Sequence, residues 1–317
     1  MSIQGAHARL GRAWEMAMAN RTPAARRLSV IQKTDMLNAL AFVAPALIMF
    51  SAFVVIPMIE AGYYSFFNWD GFGAPIDFVG LGNFVEAFQT PAFKIAVVNI
   101  CWAVAASLLI QIPLGLGMAL LLANKLQGAV YFRLIFFLPY VLAEVATGLI
   151  FSFVFDGDYG LLKPIFEMAG QPAPYPLAEP GQAIFGILFV VVWKYFGFHM
   201  MLLIAGLQSI DKSLLEAATI DGANRWQITR YIVVPLLMPV VKLCIFFAVL
   251  GAVQLFDLIM PLTGGGPLDS TQTLVTYLYT NGITRTRIGY GSAIGVVLFL
   301  ICVAFSFSYK KWILRDE

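Results

Sequence analysis

Residues 183–208 read AIFGILFVVVWKYFGFHMMLLIAGLQ, an apolar run whose only charge is Lys194. An α-helix rises about 1.5 Å per residue, so roughly 20 apolar residues suffice to cross a hydrocarbon layer ~30 Å thick. Runs of this kind also occur near 37–60, 95–122, 132–155, 236–260 and 290–309, which makes the chain an expected all-α membrane protein with six transmembrane helices. The runs are too long and too continuously apolar for barrel strands, which alternate over about 10 residues. In lipid a helix also satisfies its backbone hydrogen bonds within its own segment.

Composition agrees. Of 317 residues 60% are hydrophobic and 12% charged, with mean hydropathy +0.82, whereas a soluble domain carries about 25% charged residues. A net charge of +2 gives no reason to expect a nucleic-acid partner. Cys101, Cys244 and Cys302 lie in apolar runs, where a thiol behaves as a small buried hydrophobe, and two histidines cannot build a zinc centre alone. Residues 1–36 are polar and basic, with no short apolar stretch ending in a small-residue cleavage site, so no cleaved signal peptide is expected. Arg26-Arg27 reads as charge flanking the first span rather than as an export signal. Ala6, Leu10, Trp14 and Met18 recur every four positions, the spacing of a short helix lying on the membrane surface.

Lysine and arginine set the expected orientation, because they accumulate in cytoplasmic loops. Arg9, Arg12, Arg21, Arg26, Arg27 and Lys33 precede span one; Lys125 and Arg133 follow span two; Lys212, Arg225 and Arg230 follow span four; Lys310, Lys311 and Arg315 follow span six. These alternate segments hold fourteen positive residues, against Lys94, Lys163, Arg285 and Arg287 in the opposite set. Both termini are therefore expected in the cytoplasm: a cytoplasmic N-terminal segment 1–36, a six-helix domain 37–309, and a cytoplasmic tail 310–317.

The loop at 209–235 carries the most information. Ser213 with Glu216 three residues on is a capping-box pair that predicts a helix start. Leu214, Leu215 and Ala218 give that helix an apolar face, and Gly222 stands where a left-handed residue would end it. A second helical stretch, Asn224 to Tyr231, runs on to Pro235 at the start of span five. Glu216-Ala217-Ala218, three residues, Gly222, nine residues, then Ile232 and Pro235 resembles the EAA signature of binding-protein-dependent ABC importer permeases, with Val234 where the family usually has leucine.

That resemblance implies a type I ABC importer permease (MetI-like) fold in a bacterial cytoplasmic (inner) membrane. It implies a coupling helix docked on an ATPase subunit through Ser213, Leu215, Glu216, Ala217, Ala218, Asp221, Gly222 and Pro235. The implied partners are a second homologous permease, two ATPase subunits that bind ATP-Mg, and a periplasmic or extracellular solute-binding protein. A second stretch narrows the group. Phe256-Asp257, Leu262-Thr263-Gly264-Gly265-Gly266-Pro267, Thr271, Thr273, Leu274, Tyr277, Tyr279 and Gly289-Tyr290-Gly291-Ser292-Ala293 resemble sugar-importer permeases of the maltose and glycerol-3-phosphate type. A carbohydrate or a sugar derivative is thus the implied cargo. No GxxxxGK(S/T) phosphate loop occurs, so the chain itself is expected to hold no cofactor and to be no enzyme.

Charge at bilayer depth costs at least ~2.5 kcal/mol, so Glu144 and Lys194, both near mid-membrane by helix rise, should face a cavity or each other. Two readings stand: an ion pair joining spans three and four, or a lining for the solute path. Further path candidates share helix faces: Tyr140, Glu144, Thr147 and Phe151 on span three, Tyr195 and His199 on span four, Gln254 and Asp257 near the outer end of span five. Aromatic faces with a few hydrogen-bonding groups suit sugars, and the same spacing suits packing or lipid contact. Asn99 and Gln111 of span two are expected to bond to neighbouring helices. The rival functions are an ion-coupled secondary carrier, with Glu144 and Lys194 as relay, and a membrane enzyme. No evident internal repeat supports the first, and no nucleophile–base set supports the second.

Overall fold

The structure is a computed structural model that describes residues 38–123 and 128–312. The expected surface helix through Ala6, Leu10, Trp14 and Met18 lies outside these residues. In chain order the helices are α1 (Asn38–Tyr64), α2 (Gly82–Gln89), α3 (Pro91–Ala123), α4 (Ala129–Val141), α5 (Glu144–Val154), α6 (Leu162–Met168), α7 (Pro180–Gln208), α8 (Lys212–Ile220), α9 (Arg225–Val253), α10 (Ile259–Leu262), α11 (Leu274–Leu278) and α12 (Ile288–Trp312). Five of them are long and apolar enough to cross a membrane. The pair α4 and α5, bent by 96°, makes a sixth span when counted as one. Among the described residues the only strand-like pairing is one antiparallel bridge, Phe67 to Phe78. The chain divides into two compact units, residues 1–60 and 61–317.

Three prolines enter long helices by the same device. A proline has no N–H, and its ring crowds the carbonyl four residues back. Just ahead of Pro57, Pro113 and Pro235 the helix widens into a π turn, at Ser51–Val55, Ser107–Gln111 and Thr229–Val233. The residues directly before the prolines, Ile56, Ile112 and Val234, donate five residues back, to the carbonyls of Ser51, Ser107 and Thr229. The ladder shifts by one residue and the helix continues.

In the second unit α7 is the central rod, packed on α3, α4 and α9. Met200, Leu203 and Ile204 of α7 meet Ile112, Ala119 and Leu122 of α3 and Leu237, Cys244 and Ala248 of α9 in one apolar cluster. Its contact with α4 depends on Gly197: a Cβ there would lie 1.9 Å from the Phe136 carbonyl oxygen. Only glycine allows the two backbones to approach this closely.

Span three is not the continuous helix expected over 132–155. It breaks at Leu142 and Ala143, both extended with ψ 139°. The carbonyls at the end of α4 have no amides ahead of them to bond. Lys194 of α7 supplies the donors, with Nζ 2.5 Å from the Leu142 oxygen and 3.3 Å from the Pro139 oxygen. Tyr140 therefore belongs to α4 while Glu144, Thr147 and Phe151 belong to α5, so the expected single face does not exist. Glu144 opens α5, where the positive helix end favours a carboxylate.

On the face opposite the 209–235 loop, the glycine-rich stretch 263–273 is held firmly. Thr271 Oγ1 donates to the Gly266 carbonyl at 2.6 Å, Thr273 Oγ1 to the Leu255 carbonyl at 2.7 Å, and Asn99 Nδ2 to the Ser270 and Gln272 carbonyls at 2.8 and 2.9 Å. Asn99, expected to bond a neighbouring helix, bonds the backbone of this non-helical stretch instead. Arg287 grips Glu86 with two 2.7 Å bonds and lies 4.4 Å from the Tyr290 ring centre, tying the start of α12 to α2. The Glu86 carboxylate raises the Arg287 pKa above its ordinary value. The pair is half exposed, so its effect is more on geometry than on stability.

The close approach at Gly197 is testable. Gly197→Ala should cost about 3 kcal/mol or more, at the upper end for an overpacked core, and should lower the apparent Tm of the detergent-solubilised protein. Gly117→Ala, with nothing within 4 Å of the added carbon, should leave Tm equal or higher, because alanine is the better helix former.

Candidate functional site

A cavity of about 430 Å³ opens among α3, α4, α5, α7 and α9. Its aromatic wall is built from three helices. Tyr140 of α4 stacks on Phe198 of α7 with ring centres 4.7 Å apart and planes 21° apart, and Phe247 of α9 meets Phe198 edge-on at 6.1 Å. Its polar rim is Ser107, Gln111, Glu144, Tyr195, His199, Gln254 and Asp257. The Tyr195 hydroxyl donates to Glu144 Oε1 in a short bond across the α5–α7 contact. Gln111 Nε2 lies 2.9 Å from His199 Nδ1, and Ser107 Oγ donates to Gln111 Oε1 at 3.3 Å. A buried chain thus runs from α3 to α7, and Gln111 bonds a neighbouring helix as expected.

Of the eight expected path residues, six line this cavity: Tyr140, Glu144, Tyr195, His199, Gln254 and Asp257. Lys194 and Thr147 do not. Lys194 is 1% exposed and bound to the α4 carbonyls, and Thr147 is fully buried with Oγ1 donating to Ala143 at 3.1 Å. Of the two readings left open for Glu144 and Lys194, the ion pair is not formed: Glu144 bonds Tyr195, and Lys194 bonds carbonyls. Gln254 and Asp257 were expected on one face of span five. That helix ends at Val253, and both residues sit in the turn beyond it. Ser107, Phe198 and Phe247 also line the cavity. Phe198 carries a faint signal, four positions below Lys194 on a helix, but nothing marks Ser107 or Phe247.

The loop between α7 and α9 is built with equal care. The N-cap of α8 is Asp211, not Ser213: Asp211 is extended, and its Oδ1 accepts the Ser213 amide at 2.9 Å. A side chain two residues earlier reaches the first free amides, which leaves Ser213 and Glu216 inside the helix, both exposed. Hydrogen bonds from Ser213, its amide first and then its hydroxyl, hold the Asp211 carboxyl below its usual pKa. At the other end Gly222 has φ +84°, its amide bonding Thr219 O at 3.1 Å while the Ala223 amide bonds Ala218 O at 3.0 Å. These two bonds form a Schellman closure, which needs the left-handed residue that glycine supplies. Asn224 then caps the next turn in a reciprocal pair with Gln227, at 2.9 and 2.8 Å. The second stretch is not a separate helix ending at Tyr231. It is the first turns of α9, continuous through the π turn to Val253. Leu214, Ile220, Trp226 and Tyr231 are exposed on this loop and the turns after it.

Residues 111–313 match the family described as binding-protein-dependent transport system inner membrane component. The chain belongs to this family. The permease is 34% identical over 275 residues to the probable ABC transporter permease protein YurN of Bacillus subtilis, covering 86% of this chain and 94% of that one. It is 33% identical over 282 residues to the sulfoquinovosyl glycerol transport system permease protein SmoG of Agrobacterium fabrum, covering 87% and 90%. Its fold matches a chain of a bacterial alginate ABC transporter, crystallised with an alginate pentasaccharide-bound periplasmic protein, with TM-score 0.78 over 90% of this chain and 96% of that one at 23% identity. It is a multi-pass membrane permease of an ABC importer, and its relatives are transport proteins rather than enzymes. Among the described residues no group of three or more His, Cys, Asp or Glu side chains is placed to hold a metal.

The cap on α8 has a pH signature. Because Asp211 has a depressed pKa, the cap is complete above the ordinary carboxylate range and is lost only as pH falls below it. Hydrogen exchange at Leu214 to Ala217 in the purified permease should accelerate in Asp211→Ala at neutral pH. Asp211→Asn, whose side-chain oxygen caps equally well, should keep wild-type protection.

Proposed function

We propose that this permease imports a carbohydrate or sugar derivative, driven by ATPase subunits that grip the 209–235 loop. The observation that carries the reading is the build of that loop. A helix closed at both ends presents exposed Leu214 and Ile220, and the first turn of α9 adds exposed Trp226, apolar surface that calls for a protein partner. A four-residue turn, 221–224, joins α8 to α9, whose far end lines the cavity. Glu216, Ala217, Ala218 and Gly222 match the family motif at that place. Ala217 and Ala218 leave room for close approach, and Gly222 makes the turn between α8 and α9.

In this reading both termini and the 209–235 loop face the cytoplasm, as the lysine and arginine distribution suggests. A second homologous permease completes the cavity, two ATPase subunits bind ATP-Mg, and a solute-binding protein delivers cargo to the opposite face. Closure of the ATPase subunits moves the loops, and the spans rock to open the cavity to alternate sides. The sugar assignment draws support from the cavity, whose stacked Tyr140 and Phe198 suit the C–H face of a pyranose beside hydroxyl-bonding groups. The names of the relatives, a sulfoquinovosyl glycerol system and an alginate transporter, agree with a sugar cargo. An ion-coupled relay through Glu144 and Lys194 gains no support, because the two side chains do not meet.

Two measurements test this. Gly222→Asp and Glu216→Lys should cut ATP-dependent uptake below about one-tenth of wild type while membrane insertion stays normal; the first strains the left-handed turn by about 1 kcal/mol. Normal uptake by Gly222→Asp would remove the coupling assignment. A thiol placed by Asn224→Cys should react with a membrane-impermeant reagent in inside-out vesicles and stay unlabelled in intact cells.

A further inference from the structure

We infer that the cavity of this permease selects a saccharide without negative charge, neutral or amino-bearing. The inference rests on the import reading above and concerns only the cargo. Among the described residues, the charged groups that this chain puts on the lining are two carboxylates, Glu144 and Asp257, with no lysine or arginine beside them. Lys194 neighbours Tyr195 in sequence, yet it is 1% exposed and committed to the Pro139 and Leu142 carbonyls. It cannot turn into the cavity without freeing the end of α4.

The carboxylates are placed as acceptors. Tyr195 donates to Glu144 Oε1, which holds that side chain at the cavity wall and leaves its other oxygen for a solute. Asp257 stands exposed beside Gln254 on the turn after α9. Ionised acceptors bind hydroxyl and ammonium donors about twice as strongly as neutral ones. The Gln254 amide can return a hydrogen bond to a hydroxyl oxygen, while Tyr140, Phe198 and Phe247 offer faces for the apolar side of the ring. A uronate, sulfonate or phosphate group would meet two like charges at short range in a site partly shielded from water. The solved neighbour carries alginate, an acidic polysaccharide; the carboxylate lining here argues for a different charge class.

The test uses the complete transporter in cells lacking other sugar uptake. A mixture of neutral disaccharides, amino sugars, uronates and sugar phosphates is supplied, and accumulation is measured by mass spectrometry with and without this chain. Every solute whose uptake depends on the chain should be neutral or amino-bearing, by a margin of about a hundredfold over its anionic counterpart. Uptake of a uronate or phosphate that depends on the chain overturns the inference. For the solute so found, Glu144→Gln and Asp257→Asn should each lower uptake about tenfold at equal membrane abundance; unchanged uptake in both also overturns it. If uptake persists after ATP depletion, the ATP-driven mechanism fails while the charge preference is still read from the same panel. If no sugar depends on the chain, the carbohydrate reading fails and the inference with it.

Discussion

A lysine ammonium inside an apolar bundle would be costly on its own, and here it is the pin that sets the shape of the site. Lys194 satisfies the Pro139 and Leu142 carbonyls where span three folds back on itself, and Gly197, one turn further along α7, lets the α4 backbone settle against the same face. The charge sits at the negative end of α4, where cations are stabilised. With α4 held there, α5 starts at Glu144 beside Tyr195, and Tyr140 stacks on Phe198. The aromatic wall and the carboxylate of the cavity are both consequences of that bend.

Much of this architecture could be read from the residues alone, for a simple physical reason. Crossing hydrocarbon demands length and apolarity, and both are local properties of the chain. The turn at Gly222 was legible because a left-handed residue after a short helix leaves a glycine behind. Tyr195 and His199 were legible because four residues along an unbroken helix return to the same face.

What escaped was decided by distant partners. Residues 138–146 read LPYVLAEVA; Pro139 stays inside α4, and the break falls beyond it at Leu142 and Ala143, where the donors come from Lys194, some fifty positions away. The end of α9 at Val253 is similar, since the chain beyond it is tied down by Thr273 taking the Leu255 carbonyl. At α8 two good capping residues stood two apart, and Asp211 prevailed over Ser213 through its longer reach and extended backbone. Phe198 and Phe247 were two phenylalanines among 27, and only packing shows which ones face inward.

The union of loop and cavity wall in one helix has a further consequence. From Arg225 to Val253 the rod is 29 residues, about 43 Å at helical rise, with slack in the widened turn before Pro235 and at Pro239, which gives the ladder no N–H. Rotation applied at one end must reappear at the other with its phase preserved. Two residues added midway would swing the far half round by roughly 200°, carrying Phe247 away from Phe198, whereas seven would bring it almost back into register. The chain's reading frame along this helix is in that sense part of its gearing.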